Sequence, residues 1–378
     1  MAGLYLHVPF CRQKCTYCDF YSLTPSTIDE MEYLDLLERE AALRAPGSGT
    51  LESVFFGGGT PSLLHPETVS AALAMVSRYF HLSPTAEISL EANPGTVDAT
   101  TLVALRQAGV NRLSFGIQTL NPRLLWLLGR QHSPEQALQA IAAAQQAGFD
   151  NISADLIYGI PGQTLDDWQE SLRLLAAAGL QHLSLYALEV HPATPLGEQV
   201  AAGELALPAD DLVADMYEAA QRQLPVYGLE QYEISNFARA GFECRHNLNY
   251  WYNGDYVGLG PAACSYLQGE RACNVSDYGA WRQRLQAGQL ATGSSERLDL
   301  AASKAETIIL GLRLTQGVDA AAYQRRFGSS LEDDFGPTLT DLLDRRWLIR
   351  TQRGYAIPQS MLLVANRVFL SFLDGPNT

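Results

Sequence analysis

The sequence predicts an α/β protein: a partial (β/α)6 barrel followed by a smaller, mostly helical, winged-helix-like domain. Two observations carry this. From Leu4 to Val190, six short runs rich in β-branched and aromatic residues alternate with amphipathic segments, the pattern of consecutive βα units on a parallel sheet. Glycine, proline and isolated polar residues accumulate at the C-terminal ends of those runs, where βα barrels keep their chemistry. The division is placed at 238/239, with residues 1–238 as the barrel and 239–378 as the second domain.

The expected strands are Leu4–Val8, Ser53–Phe56, Glu87–Glu91, Arg112–Ile117, Ile152–Ile157 and His182–Leu188. Between them helices are expected over Thr27–Leu43, Pro66–Tyr79, Ala99–Gln107, Pro134–Gln146 and Leu165–Ala177. Pro66 and Pro134 suit first helical turns, and Gly109, Gly148 and Gly179 suit C-terminal caps. Right-handed crossovers curl such a sheet into an open or closed barrel. After Val190 a loop, a helix over Pro208–Leu224 and a strand over Tyr232–Phe237 follow. The C-terminal part reads as helices Ala301–Leu314, Asp319–Phe327 and Leu331–Arg346, then a hairpin Leu348–Ile357 that turns at Gln352-Arg353-Gly354.

Composition narrows the function classes. A hydrophobic fraction of 47% and a charged fraction of 18% are those of a soluble globular chain. The net charge is −15, and Lys14 and Lys304 are the only lysines, which argues against nucleic acid and broad anionic-membrane binding. Helix, helix and hairpin have the shape of a DNA-binding wing, yet residues 319–373 carry no basic footprint. No leader or spanning segment is read at the start, and a reducing cytoplasm is expected. In it Cys244, Cys264 and Cys273 each read as a buried thiol rather than half of a disulfide.

The most informative stretch is Cys11-Arg-Gln-Lys-Cys15-Thr-Tyr-Cys18. Three thiols at this spacing are too close for a fold-stapling disulfide framework and suit a metal centre. Three thiolates hold three irons of a [4Fe–4S] cluster, whose usual complement is four cysteines. The missing ligand leaves one iron open to a small molecule. A Cys3His zinc site with His7 as fourth ligand is the competing reading. Against it, His7 ends an extended run before Pro9 and suits a loop-orienting hydrogen bond.

Tyr5-Leu-His7-Val-Pro9-Phe10-Cys11, running into Cys15 and Cys18, resembles the cluster loop of radical S-adenosylmethionine (SAM) proteins. It resembles, more narrowly, that of the oxygen-independent coproporphyrinogen III oxidase group. The resemblance implies a [4Fe–4S] cluster on Cys11, Cys15 and Cys18, with SAM on the open iron. It further implies SAM contacts at Tyr5, Tyr17, Gly58, Gly59, Thr60, Glu91, Gln118, Arg130, Asp155 and Ala187. Taken alone, Gly57–Gly59 reads better as a tight strand-to-helix turn, and Arg130 as a solvated surface charge.

Two features separate branches of that group. The oxidases carry a further cysteine two residues after the third cluster cysteine, where this chain has Phe20. They also carry a longer segment before the loop, not read here. His246-Asn-Leu-Asn-Tyr250-Trp251 is similar to a motif of the group's haem chaperone branch, and implies that His246 helps to bind haem. On residues alone this stretch reads as aromatic cover for the barrel mouth, with His246 bonded to backbone. The chaperone resemblance implies haem and haem-requiring recipient proteins as partners, and a homodimer. Peripheral docking at a membrane stays open. The competing expectations are an oxidase that decarboxylates coproporphyrinogen III by radical chemistry, and a zinc-dependent regulatory protein.

Overall fold

The computed structural model describes residues 2–26, 28–45 and 49–373. Thr27, where the first helix was expected to begin, and both extreme ends of the two-domain division lie outside them. Six strands form the expected parallel series: β1 (Ala2–Val8), β2 (Leu51–Gly58), β3 (Leu82–Ala92), β4 (Arg112–Gln118), β5 (Ile152–Tyr158) and β6 (His182–Ala187). They pair in chain order. Leu4, Leu6, Val54, Phe56, Leu90, Leu113, Phe115, Ala154, Leu156, Leu183 and Leu185 point to the covering helices and are buried. The alternate positions carry the polar set: Tyr5 and His7, Ser53, Glu87, Ser89 and Glu91, Arg112 and Ser114, Ser153 and Asp155, His182 and Ser184. Period-two alternation thus gives one oily face to the helices and one polar face to the concave side.

The helices Glu30–Arg44, Pro66–Tyr79, Ala99–Ala108, Pro134–Gln146 and Leu165–Ala177 lie within a few residues of their expected spans. Asp98 caps one of them by accepting from Thr101 N, and Ser133 and Thr164 form capping boxes at two others. Gly109 takes φ 111° at a helix end, a conformation that disfavours any side chain.

The sheet does not end at β6 or β1. The expected single strand over Tyr232–Phe237 is instead a tight reversal between β7 (Glu230–Gln231) and β8 (Asn236–Ala238), and β8 runs antiparallel to β6. At the other edge β9 (Asp255–Leu259) lies parallel to β1, followed by β10 (Cys264–Leu267), β11 (Glu270–Asn274) and β12 (Thr292–Arg297), all antiparallel. The 12 strands form one sheet, and β9 to β12 extend it beyond residue 238. A buried knot fastens this extension. Glu40 accepts from Gly260 N at 2.8 Å and from Trp281 Nε1 at 3.1 Å, while Arg44 donates to Asn274 Oδ1 at 2.6 Å.

The β10–β11 hairpin overturns one expectation. Cys264 and Cys273 form a disulfide, and Cys244 alone is a buried free thiol. The reason is register: Gln268 and Gly269 both have positive φ, as a two-residue hairpin turn requires, and every residue pair back to Cys264↔Cys273 then stands directly opposite.

The C-terminal part is mostly helical: Leu300–Gly311, Ala320–Phe327 and Leu331–Asp344, with a small sheet of β13 (Val318–Asp319), β14 (Ile349–Arg350) and β15 (Gly354–Ala356) in the order β13-β15-β14. Its buried ion pair joins Lys304 to Asp334 at 2.7 Å. Among the described residues no helix is long and apolar enough to cross a membrane.

Candidate cluster and cofactor site

The cysteine loop leaves β1 at the concave rim. It is pinned by backbone bonds from Cys11 N to Leu23 O and Leu23 N to Pro9 O, and by Thr16 to the carbonyls of Leu127 and Leu128. His7 Nε2 stands 2.9 Å from the Tyr21 carbonyl. A carbonyl only accepts, so Nε2 holds the proton and Nδ1 accepts from Tyr5 Oη at 3.1 Å. Both ring nitrogens are committed to loop geometry, and burial lowers the pKa of the ring.

Cys11, Cys15 and Cys18 are free and half-buried. Thr60 Oγ1 donates to Cys11 Sγ at 3.6 Å, and Arg130 Nη1 to Cys15 Sγ at 3.4 Å. Burial chiefly, with the neighbouring Cys15 and Cys11 thiols, pushes Cys18 up to about 11, so binding of iron has to displace a proton. Among the described residues no three His, Cys, Asp or Glu side chains converge on one metal-ion position. A four-iron cluster needs no such point, because each thiolate takes a separate iron. The donor set fits that group: three sulfurs on one short loop, two of them already receiving hydrogen bonds.

Behind the loop lies a cradle. Gly58 ends β2 and Gly59 follows it, where a Cβ would stand 2.7 Å from Phe10 O and 2.9 Å from Val8 O. Thr60 is buried and also accepts from Asn93 Nδ2 at 3.1 Å. Glu91 Oε2 accepts from Gly58 N at 3.1 Å. Burial first, then the Asp155 carboxylate, pushes Glu91 from 4.5 up to about 8. Asp155 accepts from Ser114 Oγ at 3.1 Å, and burial raises it too, against the pull of Ser184 and Arg112. Two carboxylates that face one space this way suit an ammonium group and ribose hydroxyls.

The remaining sequence-assigned residues lie around the same rim. Gln118 holds φ 69°, rare for a residue with a side chain, at a bulge where β4 meets β5. Arg130 is no solvated charge: its guanidinium donates to Asn93 Oδ1, Gly116 O and Cys15 Sγ, and its buried Nε has no partner. Tyr17 packs beside Leu124, Leu128, Ile157 and Ile160, and burial raises its pKa. Ala187 is exposed at the end of β6, next to Tyr186. Tyr5 stacks on Phe55 and reaches the electrostatic field of Glu91.

His246 stands apart from this rim. It lies on the helix Arg245–Trp251, whose first backbone amides are met by Glu87 from β3: Arg245 N at 3.1 Å and His246 N at 3.2 Å. A carboxylate there compensates both the unpaired amides and the helix dipole. The imidazole is buried, stacked on Phe55, with Nδ1 2.9 Å from Ser53 Oγ and Nε2 2.8 Å from Tyr250 Oη. Burial, and then Arg112, hold its pKa down at about 3, so the ring is neutral. Gly3 admits it, since a Cβ there would stand 3.1 Å from Nδ1.

Tyr250 and Trp251 face a cavity of about 460 Å³, inside the ~300–1,000 Å³ range of small-molecule sites. The cluster loop supplies Phe20 and Tyr21 to it, and β1 supplies Tyr5 and His7. The hairpin contributes Tyr266 and Arg271 to the far wall, with Glu306 paired to Arg271 at 2.6 Å. Arg112, Tyr21 and Arg271 were not singled out from sequence, and Asn93 was noted only as part of the run Glu91-Ala-Asn93-Pro94 that ends the third strand. For Arg112 and Asn93 the signal was present: each continues a period-two polar face on a strand already identified.

A parallel βα sheet with three cysteines beyond its first strand is the architecture of one superfamily, and residues 5–175 match the model of the Radical SAM superfamily. Residues 299–360 match the HemN C-terminal domain. The chain is 36% identical to the protein named heme chaperone HemW of Bacillus subtilis, over 99% of both chains. It is 40% identical to the one so named from Synechocystis, over 91% of this chain and 85% of that one. In structure it resembles coproporphyrinogen III oxidase HemN of Escherichia coli, with a TM-score of 0.86 at 23% identity, over 98% of this chain and 89% of that one. The chain belongs to the HemW branch of the HemN-like radical SAM proteins.

Proposed function

We propose that this protein is a haem chaperone that carries a [4Fe–4S] cluster on Cys11, Cys15 and Cys18, holds SAM in the Gly58–Thr60 cradle, and passes haem from the aromatic cavity to haem-requiring proteins. The observation that supports it best is the shared wall. Phe20 and Tyr21 belong to the cluster loop, Tyr250 and Trp251 to the motif helix, and all four line one cavity. When bound, the cluster supplies an open iron and one-electron chemistry. The chain's own residues do the rest. Glu91 and Asp155 receive the ammonium and ribose hydroxyls of SAM, together with Tyr5, Tyr17, Gln118 and Ala187, and Arg130 meets its carboxylate. Aromatic faces stack on the macrocycle, Arg271 offers a cation to a propionate, and His246 fixes Tyr250 from behind the wall.

With this reading go a cytoplasmic location and a homodimer. The deciding experiment incubates anaerobically reconstituted protein with coproporphyrinogen III, SAM and a reductant, and separately titrates it with haem. Stoichiometric haem binding that weakens in His246→Ala, without formation of protoporphyrinogen IX, is the expected result. Protoporphyrinogen IX as a product overturns the chaperone reading in favour of the oxidase.

A further inference from the structure

The cavity raises a ligand problem. His7 lines it, but both of its ring nitrogens are engaged, by Tyr5 Oη and the Tyr21 carbonyl. His246 lies behind the wall with both nitrogens engaged as well. Haem iron is usually held by an imidazole, thiolate, thioether or phenolate. Phenols line the cavity too, but those of Tyr5, Tyr21 and Tyr250 are hydrogen-bonded, to His7, Tyr278 N and His246; among the described residues lining the cavity, Cys264 supplies the one sulfur.

That sulfur is tied to Cys273. The register Cys264↔Cys273 and Tyr266↔Arg271 puts these four side chains on one face of the hairpin. Three of them, Cys264, Tyr266 and Arg271, line the cavity. Cys264 and Cys273 are half-buried, so a reductant can approach the pair. In the disulfide Cys264 has no thiolate to offer. Once the bond opens, a thiol stands in the wall two positions along the strand from Tyr266, on the hairpin face that also carries Arg271.

We propose that Cys264–Cys273 is a reduction-gated ligand site for the iron of a metalloporphyrin. A dithiol reductant gives two electrons and two protons. The S–S bond breaks, two thiols form in this chain, and the dithiol leaves as a disulfide. The Cys264 thiol then releases its proton to solvent as its sulfur binds ferric iron. Oxidation by a disulfide reverses the exchange, removes the ligand, and favours release. The inference rests on the haem reading of the cavity and adds its ligand and its regulation.

The test uses full-length, cluster-loaded protein under anaerobic conditions. Ferric haem is titrated before and after treatment with a phosphine, which converts the disulfide and water to two thiols and phosphine oxide and adds no competing thiol. Alkylation and peptide mass report the state of the pair independently of haem. The expected result is a thiolate-type Soret band and low-spin ferric EPR signal in the reduced wild type only. Affinity there should be on the order of tenfold tighter than in the oxidised protein, a factor worth 1.4 kcal/mol. Cys273→Ser should show the thiolate signature without reductant, and Cys264→Ser should lack it in both states. A spectrum that reduction leaves unchanged, or a Cys264→Ser protein identical to the reduced wild type, overturns the inference while leaving haem binding standing. A pair found alkylated before reduction overturns the gating. Absence of haem binding in both redox states overturns the chaperone reading itself, and this inference with it. The wild-type comparison needs no variant to fold.

Discussion

The concave rim and the aromatic cavity share β1 but solve opposite problems. The rim gathers charge: Glu91, Asp155 and Arg130 sit among glycines and hydroxyls, and Arg130 Nε is left without a partner. The cavity gathers rings: Tyr5, Phe20, Tyr250 and Trp251 enclose a space whose charged pair, Arg271 and Glu306, neutralises itself. Buried carboxylates are costly without a cationic partner, so a ligand that brought a cation to the rim would offset part of that cost. An aromatic wall gains from excluding water from a flat apolar one. Tyr5 and His7 belong to both walls, and their mutual hydrogen bond ties the two sites together.

The sharpest separation should come from the cysteines. Cys15→Ala should abolish the cluster, read as iron and sulfide per chain, while haem titration of the cavity changes little. If haem binding vanishes as well, the two sites are one. Next in size is Gly59→Val. Its Cβ meets two backbone carbonyls that cannot swing aside, and overpacking of this kind costs about 1–3 kcal/mol. A lower Tm together with lost SAM binding is expected, whereas Gly95→Val, which meets nothing within 4 Å, should leave both intact. An unchanged Tm for Gly59→Val would show that the loop yields.

His246→Ala probes the cavity alone. It leaves Tyr250 Oη and Ser53 Oγ without their partner, and an unsatisfied buried hydroxyl costs about 1–3 kcal/mol. Haem affinity should fall roughly tenfold, with iron content unchanged. Tyr250→Phe should lose a comparable amount if His246 acts through the phenol. If Tyr250→Phe is neutral while His246→Ala abolishes binding, His246 itself meets the iron.

The rim was far more legible in sequence than the cavity, for physical reasons. Glu91 and Gln118 stand at the C-terminal ends of β3 and β4 and Asp155 lies within β5, so the βα reading placed them on one edge before any contact was known, whereas Arg130 was assigned only by resemblance. The cavity depends on chain segments far apart. Phe20 and Tyr266 meet only because β9 adds to the free edge of β1 and the hairpin folds back, and such long-range pairing leaves no local signal. Cys264 and Cys273 show the same limit. They were read as separate thiols because they are scattered in a chain expected in a reducing compartment; Gln268-Gly269 is a weaker hairpin signal than Asn-Gly or Asp-Gly, and once the turn is fixed their pairing follows. The reversal at Tyr232–Phe237 was missed because Tyr232 and Ile234 alternate with polar residues as in a strand, whereas Tyr232 N donates to Asn236 O and closes a turn.

The last test concerns Glu91, where stability and ligand affinity should depend on pH with opposite signs. Its pKa is raised from 4.5 to about 8, so the folded chain binds a proton that the unfolded chain has lost between those values. Stability is therefore highest below the ordinary value and falls as pH rises through the window, levelling off above about 8. Binding of an ammonium ligand runs the other way, because it needs the ionised carboxylate. SAM affinity should climb as pH rises towards 8, by at most about tenfold per pH unit, and Glu91→Gln should flatten that climb while differing by no more than about twofold at pH 6. The same variant should remove the loss of Tm across the window. Calorimetric titration at several pH values, paired with thermal melts, measures both. A climb that persists in Glu91→Gln would move the ammonium contact to Asp155, the other carboxylate facing the same space.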